Sequence, residues 1–123
     1  MKKILLAEDD PAVRTLVSRL LELEGYQVEA FQDGKSALDA VRASAFDLAI
    51  LDVMMPTVDG LVVLSEIRSN DATSALPVVI LTAKADDEST WRGWSGGCDY
   101  YLTKPFDPDD LFAAVDRLLG AKA

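Results

Sequence analysis

The sequence predicts a doubly wound α/β domain, in which a five-stranded parallel sheet carries helices on both faces. Five short apolar runs recur along the chain, segments with apolar residues three or four positions apart separate them, and the connections are short. Apolar runs without alternation are typical of strands that are covered on both faces, as in parallel sheets. We therefore expect five strands and five helices, joined by right-handed crossovers.

The five predicted strands are runs rich in Leu, Ile and Val that are bounded by polar turns. They cover Lys3 to Ala7, Gln27 to Phe31, Asp47 to Leu51, Val78 to Thr82 and Tyr100 to Leu102.

Five helical segments are predicted between and after these strands. The first is the best marked, because Asp10 suits an N-cap, Pro11 suits the first helical position and Gly25 suits the C-terminal end. The apolar positions that mark the helices are Leu16, Leu20, Leu21 and Leu23, then Ala37, Leu38 and Val41, then Leu61, Leu64 and Ile67, then Trp91 and Trp94, and last Leu111, Val115, Leu118 and Leu119.

Composition limits the class of protein. With 123 residues, 50% of them hydrophobic, we expect one domain over residues 1–123 that ends just past the fifth helix. The net charge of −9 repels a phosphate backbone, so direct nucleic-acid binding is not expected. Only four apolar residues precede the first acidic cluster, too few for a signal peptide or a membrane span, so we expect a cytoplasmic protein. Cys98 is the only cysteine and is expected to be a packing residue.

Acidic residues follow two of the predicted strands: Glu8 and Asp9 after the first, and Asp52 after the third. The carboxyl ends of parallel strands meet at one edge of a sheet, where open α/β sheets place their ligands. Close carboxylates repel one another unless a cation lies among them, and oxygen ligands without His or Cys favour Mg²⁺. The alternative is that each acid simply marks the exit from a strand. Asp10 is assigned to capping and not to this site.

Two further residues extend the candidate site. If the fifth strand were adjacent to the first, Lys104 would place an ammonium group in the same crevice, where it could contact a phosphoryl oxygen. Thr82, at the end of the fourth strand, offers a hydroxyl group to the same ligand, although a strand-end Thr is also an ordinary β residue.

Taken together, these motifs resemble the receiver domain of two-component response regulators, related to the chemotaxis response regulator. The resemblance covers essentially the whole chain and implies a flavodoxin-like (receiver) topology. The matching segments are Glu8-Asp9, Asp52 to Pro56, Asp59-Gly60, Thr82-Ala83 and Tyr101 to Phe106.

The resemblance implies a role for each site residue. Asp52 would accept the phosphoryl group from a phosphohistidine on a sensor histidine kinase or a phosphotransfer protein. The carboxylates of Glu8, Asp9 and Asp52 would hold Mg²⁺, and the backbone carbonyl of Met54 would complete the ligand set. Lys104 would pair with carboxylate and phosphoryl oxygens.

The resemblance also implies a switch formed by Thr82 and Tyr101. The hydroxyl group would turn toward the phosphoryl group, the ring would follow inward, and one arrangement of the fourth helix, fifth strand and fifth helix would be favoured. An unidentified downstream protein or output domain would contact that face. The chain would be a signalling protein, a monomer or weak dimer, that dephosphorylates itself but turns over no metabolite.

The chain departs from the family's pattern at Tyr100, where a second acid often follows the first. Those acids form ion pairs in the symmetric dimer of the transcription-factor subgroup, so that dimer is not implied here. Trp91 and Trp94 lie three apart on one predicted helix, which makes one of them a candidate partner anchor and core packing the alternative.

Three other functions are alternatives to this one. A receiver fold can act as an interaction module independently of phosphorylation. A haloacid-type phosphohydrolase needs a second acid two residues after its nucleophile, where this chain has Met54 after Asp52. A flavodoxin-type flavin site needs a phosphate-binding loop after the first strand, whereas Glu8-Asp9-Asp10 would repel a phosphate.

Overall fold

The computed structural model describes residues 1–55, 58–83 and 96–120, and within them five parallel strands form one sheet. The strand order is β2-β1-β3-β4-β5, the flavodoxin-like arrangement, which confirms the predicted fold class. The strands are β1 (Lys3–Ala7), β2 (Gln27–Phe31), β3 (Leu48–Asp52), β4 (Val78–Thr82) and β5 (Tyr100–Thr103).

The third strand lies one residue further along the chain than predicted. Asp52 belongs to the ladder itself, opposite Leu81 of β4. At the other end, Asp47 lies just before the strand, and its carboxylate accepts a hydrogen bond from the backbone N–H of Lys3 at 2.7 Å. Asp52 is therefore held by strand pairing and not by a loop.

Four helices lie within the described residues, and each is preceded by an aspartate at its N-cap. The fourth predicted helix, with Trp91 and Trp94, falls outside the described residues. The observed helices are α1 (Pro11–Leu23), α2 (Gly34–Ala43), α3 (Gly60–Ser69) and α4 (Pro108–Leu119), the last being the fifth predicted segment.

The sheet separates two hydrophobic clusters, because successive residues of a strand point to opposite faces. Leu5 and Leu51 lie in a cluster with residues of α2 and α3. Leu6 and Ile50 lie in the other cluster, with residues of α1 and α4. Both faces are thus covered, as the unbroken apolar runs indicated.

Cys98 is buried in the cluster on the α2 and α3 face, as expected for a packing residue. Burial raises the pKa of its thiol to about 11, so it stays protonated near neutral pH. No helix among the described residues is both long enough and apolar enough to cross a lipid bilayer.

Arg68, in the last turn of α3, ties the entries of β4 and β5 to that helix. Its guanidinium donates to the carbonyl of Gly97 at 2.9 Å and to that of Leu76 at 2.6 Å. It also forms an ion pair with Asp99 at 2.9 Å. The Asp99 carboxylate in turn accepts a hydrogen bond from the backbone N–H of Val78 at 2.8 Å. One side chain therefore satisfies several backbone groups at the edge of the sheet opposite the acidic residues.

We predict that Arg68→Met lowers the free energy of unfolding by about 1–3 kcal/mol, because carbonyl groups and a carboxylate lose a charged donor. The matched control is Arg42→Met, which breaks the exposed pair with Glu66 and should cost less than about 1 kcal/mol. Urea unfolding followed by circular dichroism measures both values. Equal losses in the two variants would contradict the role given to Arg68.

Candidate functional site

The strand order brings Glu8 and Asp52 side by side. β1 and β3 are paired in parallel with Ala7 opposite Leu51, so Glu8 and Asp52 are the next residues along each strand. Both side chains are buried, whereas Asp9 is exposed at the rim. One carboxylate oxygen from each of the three acids lies within 4.8 Å of the other two. The three candidate ligands thus converge on one small volume.

Lys104 follows β5 and contacts acids at the ends of β3 and β1, which lie two and three strands away in the sheet. Its Nζ atom lies 2.5 Å from Oε1 of Glu8 and 3.1 Å from Oδ2 of Asp52. This contact was expected only if β5 were adjacent to β1, and that expected adjacency is wrong, because β5 pairs with β4. Lys104 directly follows Thr103, the last residue of β5. Its long side chain extends across the end of the neighbouring strand β4 to reach the acids.

The balance of charge in this site is reflected in two pKa values. Burial, followed by the neighbouring Asp52 carboxylate, raises the pKa of Glu8 from 4.5 to about 7, although Lys104 opposes the rise. Burial alone would lower the pKa of Lys104, but its contacts with Glu8 and Asp52 outweigh it and raise that pKa. Glu8 therefore exchanges its proton near neutral pH and not near pH 4.5. One ammonium group does not fully compensate the carboxylates.

The donor set fits a magnesium ion. All three side chains offer hard oxygen atoms, and Mg²⁺ is commonly bound by a few carboxylates together with water and phosphoryl oxygens. The raised pKa of Glu8 shows that more positive charge would be accommodated favourably. The exposed position of Asp9 leaves one side of the cluster open to solvent and ligand.

The carboxylate of Asp52 is held at both oxygen atoms. Oδ2 faces Lys104, and Oδ1 accepts a hydrogen bond from the backbone N–H of Met54 at 3.0 Å. The backbone of Met54 therefore lies beside the site, while its side chain is about half exposed. That its carbonyl binds the cation remains a prediction.

Gly60 has a structural role here that the sequence motif alone did not reveal. A Cβ atom at this position would lie 2.2 Å from the backbone oxygen of Asp52, so only glycine fits. The close approach lets α3 begin directly against the end of β3. Asp59 caps the helix by accepting from the N–H groups of Leu61 and Val62.

Thr82 and Tyr101 lie on the same face of the sheet. Tyr101 is opposite Ile80, two residues before Thr82, and side chains two residues apart on a strand share a face. Thr82 is fully buried one residue beyond Leu81, the partner of Asp52. Tyr101 is half-buried against the cluster on the α2 and α3 face. The movement assigned to this pair remains a prediction.

Two neighbours of the acids were not singled out as site residues by sequence reasoning. Asp10 caps α1 as expected, its Oδ1 accepting the N–H of Ala12 at 2.9 Å, but its backbone N–H also donates to Oε2 of Glu8 at 3.2 Å. Arg14, in the first turn of α1, donates to the carbonyl groups of Glu8 and Asp9. The only signal for Arg14 in the sequence is its position shortly after the acidic cluster.

Known proteins with similar sequences are transcriptional and signalling regulators. A family model described as the response regulator receiver domain matches residues 4–116. The regulatory protein VanRc of Enterococcus gallinarum is 42% identical over 118 residues, which cover 96% of this chain and 50% of that protein. The DNA-binding dual master transcriptional regulator RpaA of Synechocystis sp. is 42% identical over 120 residues, with 97% and 49% covered. The chain spans about half the length of these relatives.

Solved structures of similar shape include chemotaxis and kinase-associated domains. The chemotaxis protein CheY4 of Vibrio cholerae superposes with a TM-score of 0.91 at 33% identity, covering 97% of this chain and 99% of that one. The receiver domain of the sensor histidine kinase PA1611 of Pseudomonas aeruginosa PAO1 gives 0.90 at 30% identity, with 98% of each chain covered. That domain was solved with a magnesium ion coordinated in its active site cleft.

The raised pKa of Glu8 predicts an unusual dependence of stability on pH. Between its ordinary value of 4.5 and its folded value of about 7, the folded state binds more protons than the unfolded state. The free energy of unfolding should therefore fall as the pH rises through this window. Denaturant unfolding at several pH values in the presence of a chelator should show this fall for the native chain and a smaller one for Glu8→Gln. Parallel pH profiles for the two proteins would contradict the pKa assigned to Glu8.

Proposed function

Because this chain belongs to the family of response regulator receiver domains, we propose that Asp52 is its phosphoacceptor and that a phosphohistidine on a partner protein is the donor. The observation that carries the proposal is the convergence on Asp52: its carboxylate touches Lys104 and lies within 4.8 Å of candidate ligands from Glu8 and Asp9. Phosphoryl transfer requires positioning and charge neutralisation more than covalent help, and this arrangement supplies both.

The surroundings favour Asp52 over the other two acids as the nucleophile. Glu8 is fully buried and its pKa is raised to about 7, so the competition of a proton for its carboxylate near neutral pH makes it a poor nucleophile. Asp9 is exposed at the rim of the cluster. Asp52 belongs to a strand, and both of its oxygen atoms are oriented by hydrogen bonds. Its carboxylate is therefore the best positioned for in-line attack.

In the proposed reaction, a carboxylate oxygen of Asp52 forms a bond to phosphorus as the bond between phosphorus and the donor's imidazole nitrogen breaks. The imidazole keeps that electron pair, and the product is an aspartyl phosphate. Lys104, already 3.1 Å from Oδ2 of Asp52, would follow the negative charge onto a phosphoryl oxygen. A magnesium ion held by Glu8, Asp9, Asp52 and the Met54 carbonyl would neutralise further phosphoryl charge.

The proposed signal then passes through Thr82 and Tyr101. The buried hydroxyl group of Thr82 lies at the end of the strand next to β3, and Tyr101 lies on the same face of the sheet. A shift in this pair would alter the surface formed by β5 and its neighbours, where a downstream partner would bind. The predicted fourth helix of that surface lies outside the described residues.

The proposed partners are a sensor histidine kinase or phosphotransfer protein and a downstream protein or output domain. Residues 1–123 would act as one domain in the cytoplasm, as a monomer or weak dimer. With a net charge of −9, this domain would not bind nucleic acid itself, although relatives twice its length include a DNA-binding regulator. It would turn over no metabolite, and its only hydrolytic reaction would be loss of its own phosphoryl group.

The test is intact-mass spectrometry after incubation with acetyl phosphate and magnesium. We expect the native chain to gain one phosphoryl mass, Asp52→Asn to gain none, and chelation of magnesium to abolish the gain. Asp39→Asn is the matched control, because Asp39 is an exposed helical acid paired with Lys35, and this variant should be phosphorylated like the native chain.

Absence of an adduct on the native chain, with magnesium bound and hydrolysis shown to be too slow to remove it, would contradict the proposal. That result would favour an interaction module that works without phosphorylation.

A further inference from the structure

Arg14 connects the first turn of α1 to the segment that carries two of the acids. Its Nη1 atom donates to the carbonyl oxygen of Glu8 at 2.9 Å and to that of Asp9 at 3.3 Å. We infer that Arg14 is a positioning residue for the cation site, one that holds the Glu8-Asp9 backbone so that the carboxylates converge. The inference rests on the proposed function, in which these carboxylates bind magnesium.

The segment needs such support because it leaves the sheet at the point where negative charge accumulates. The backbone N–H of Glu8 still extends the ladder, donating to Phe31 at 3.0 Å, but Asp9 lies beyond the strand and is exposed. Repulsion among the carboxylates of Glu8, Asp9 and Asp52 favours a conformation in which Asp9 turns away. A donor bonded to consecutive carbonyl groups restrains that movement without touching the carboxylates.

The location of Arg14 also calls for an explanation beyond helix formation. A cation in the first turn of a helix interacts unfavourably with the positive end of the helix dipole. The carboxylate of the N-cap residue Asp10 offsets part of this cost, because it accepts from the N–H groups of Ala12 and Val13. The bonds from Arg14 to the two carbonyl groups add a further compensating interaction, and they direct the guanidinium toward the acidic segment.

This positioning role and a purely electrostatic role predict opposite effects on magnesium binding. If Arg14 acted only through its charge, it would repel a divalent cation, and its removal would tighten binding. If it acts through the backbone of Glu8 and Asp9, its removal loosens the ligands and weakens binding. Partners that orient metal ligands typically contribute about 10–100-fold to metal affinity.

The experiment is a calorimetric titration of the full chain with magnesium chloride at constant pH and ionic strength. We expect Arg14→Met to weaken magnesium binding about tenfold and Arg14→Lys, which keeps a donor and the charge, to weaken it less. Arg19→Met removes the same charge from an exposed position on the same helix and should change the affinity by less than about twofold.

A second readout does not depend on the metal. In ¹H–¹⁵N spectra of the metal-free chain, Arg14→Met should shift the amide signals of Asp9 and Asp10, and Arg19→Met should leave them in place. This signature separates a local loss of positioning from a general loss of stability.

Unchanged or tighter magnesium binding by Arg14→Met, in a protein whose spectrum is otherwise native, would overturn the inference and leave the proposed function intact. If Arg14→Met fails to fold, Arg14→Lys decides: native affinity with shifted Asp9 and Asp10 signals would overturn the inference, and weaker binding would support it. A native chain that binds no magnesium at all would overturn the metal-dependent function and this inference with it.

Discussion

The contact of one ammonium group with two buried carboxylates is the constraint on which the rest of the site depends. Lys104 lies between Glu8 and Asp52, and both acids are almost completely shielded from water. Buried charges are tolerated only when they are paired, and here the pairing is incomplete, as the pKa of about 7 for Glu8 shows. A fold that concentrates negative charge in this way favours a ligand that brings positive charge, and a phosphoryl group can accompany that ligand.

The architecture explains how such an unfavourable cluster persists. β1 and β3 lie at the centre of the sheet, and the residues before Glu8 and Asp52 are fully buried on both faces. The free energy gained by burying the apolar side chains of the two hydrophobic clusters stabilises these strands, and the strands hold the carboxylates together against their mutual repulsion. Gly60 allows α3 to close against the backbone of Asp52, and Arg14 restrains the segment that leaves β1. The chemical site is thus maintained by packing that lies outside it.

Much of this arrangement could be predicted from the sequence, for identifiable reasons. Unbroken apolar runs such as Ile4 to Ala7 indicate strands covered on both faces, and Asp10-Pro11 marks the start of a helix through local capping. The convergence of Glu8 with Asp52 followed from the strand ends alone. The contact of Lys104 with these acids could not be predicted from the strand ends, because it depends on the length of a side chain that crosses β4 and not on which strands are adjacent. Arg14 and Gly60 act through backbone contacts, which leave no pattern of spacing or polarity in the sequence.

The central claim, that excess buried negative charge at Glu8 and Asp52 creates the affinity for a cation, is tested most directly by counting the protons released when magnesium binds. Calorimetric titrations slightly below neutral pH, in buffers of different ionisation enthalpy, give this number. With the pKa of Glu8 near 7, binding should release between about half a proton and one proton, and the release should vanish by about pH 9. Magnesium binding without proton release below neutral pH would contradict the account.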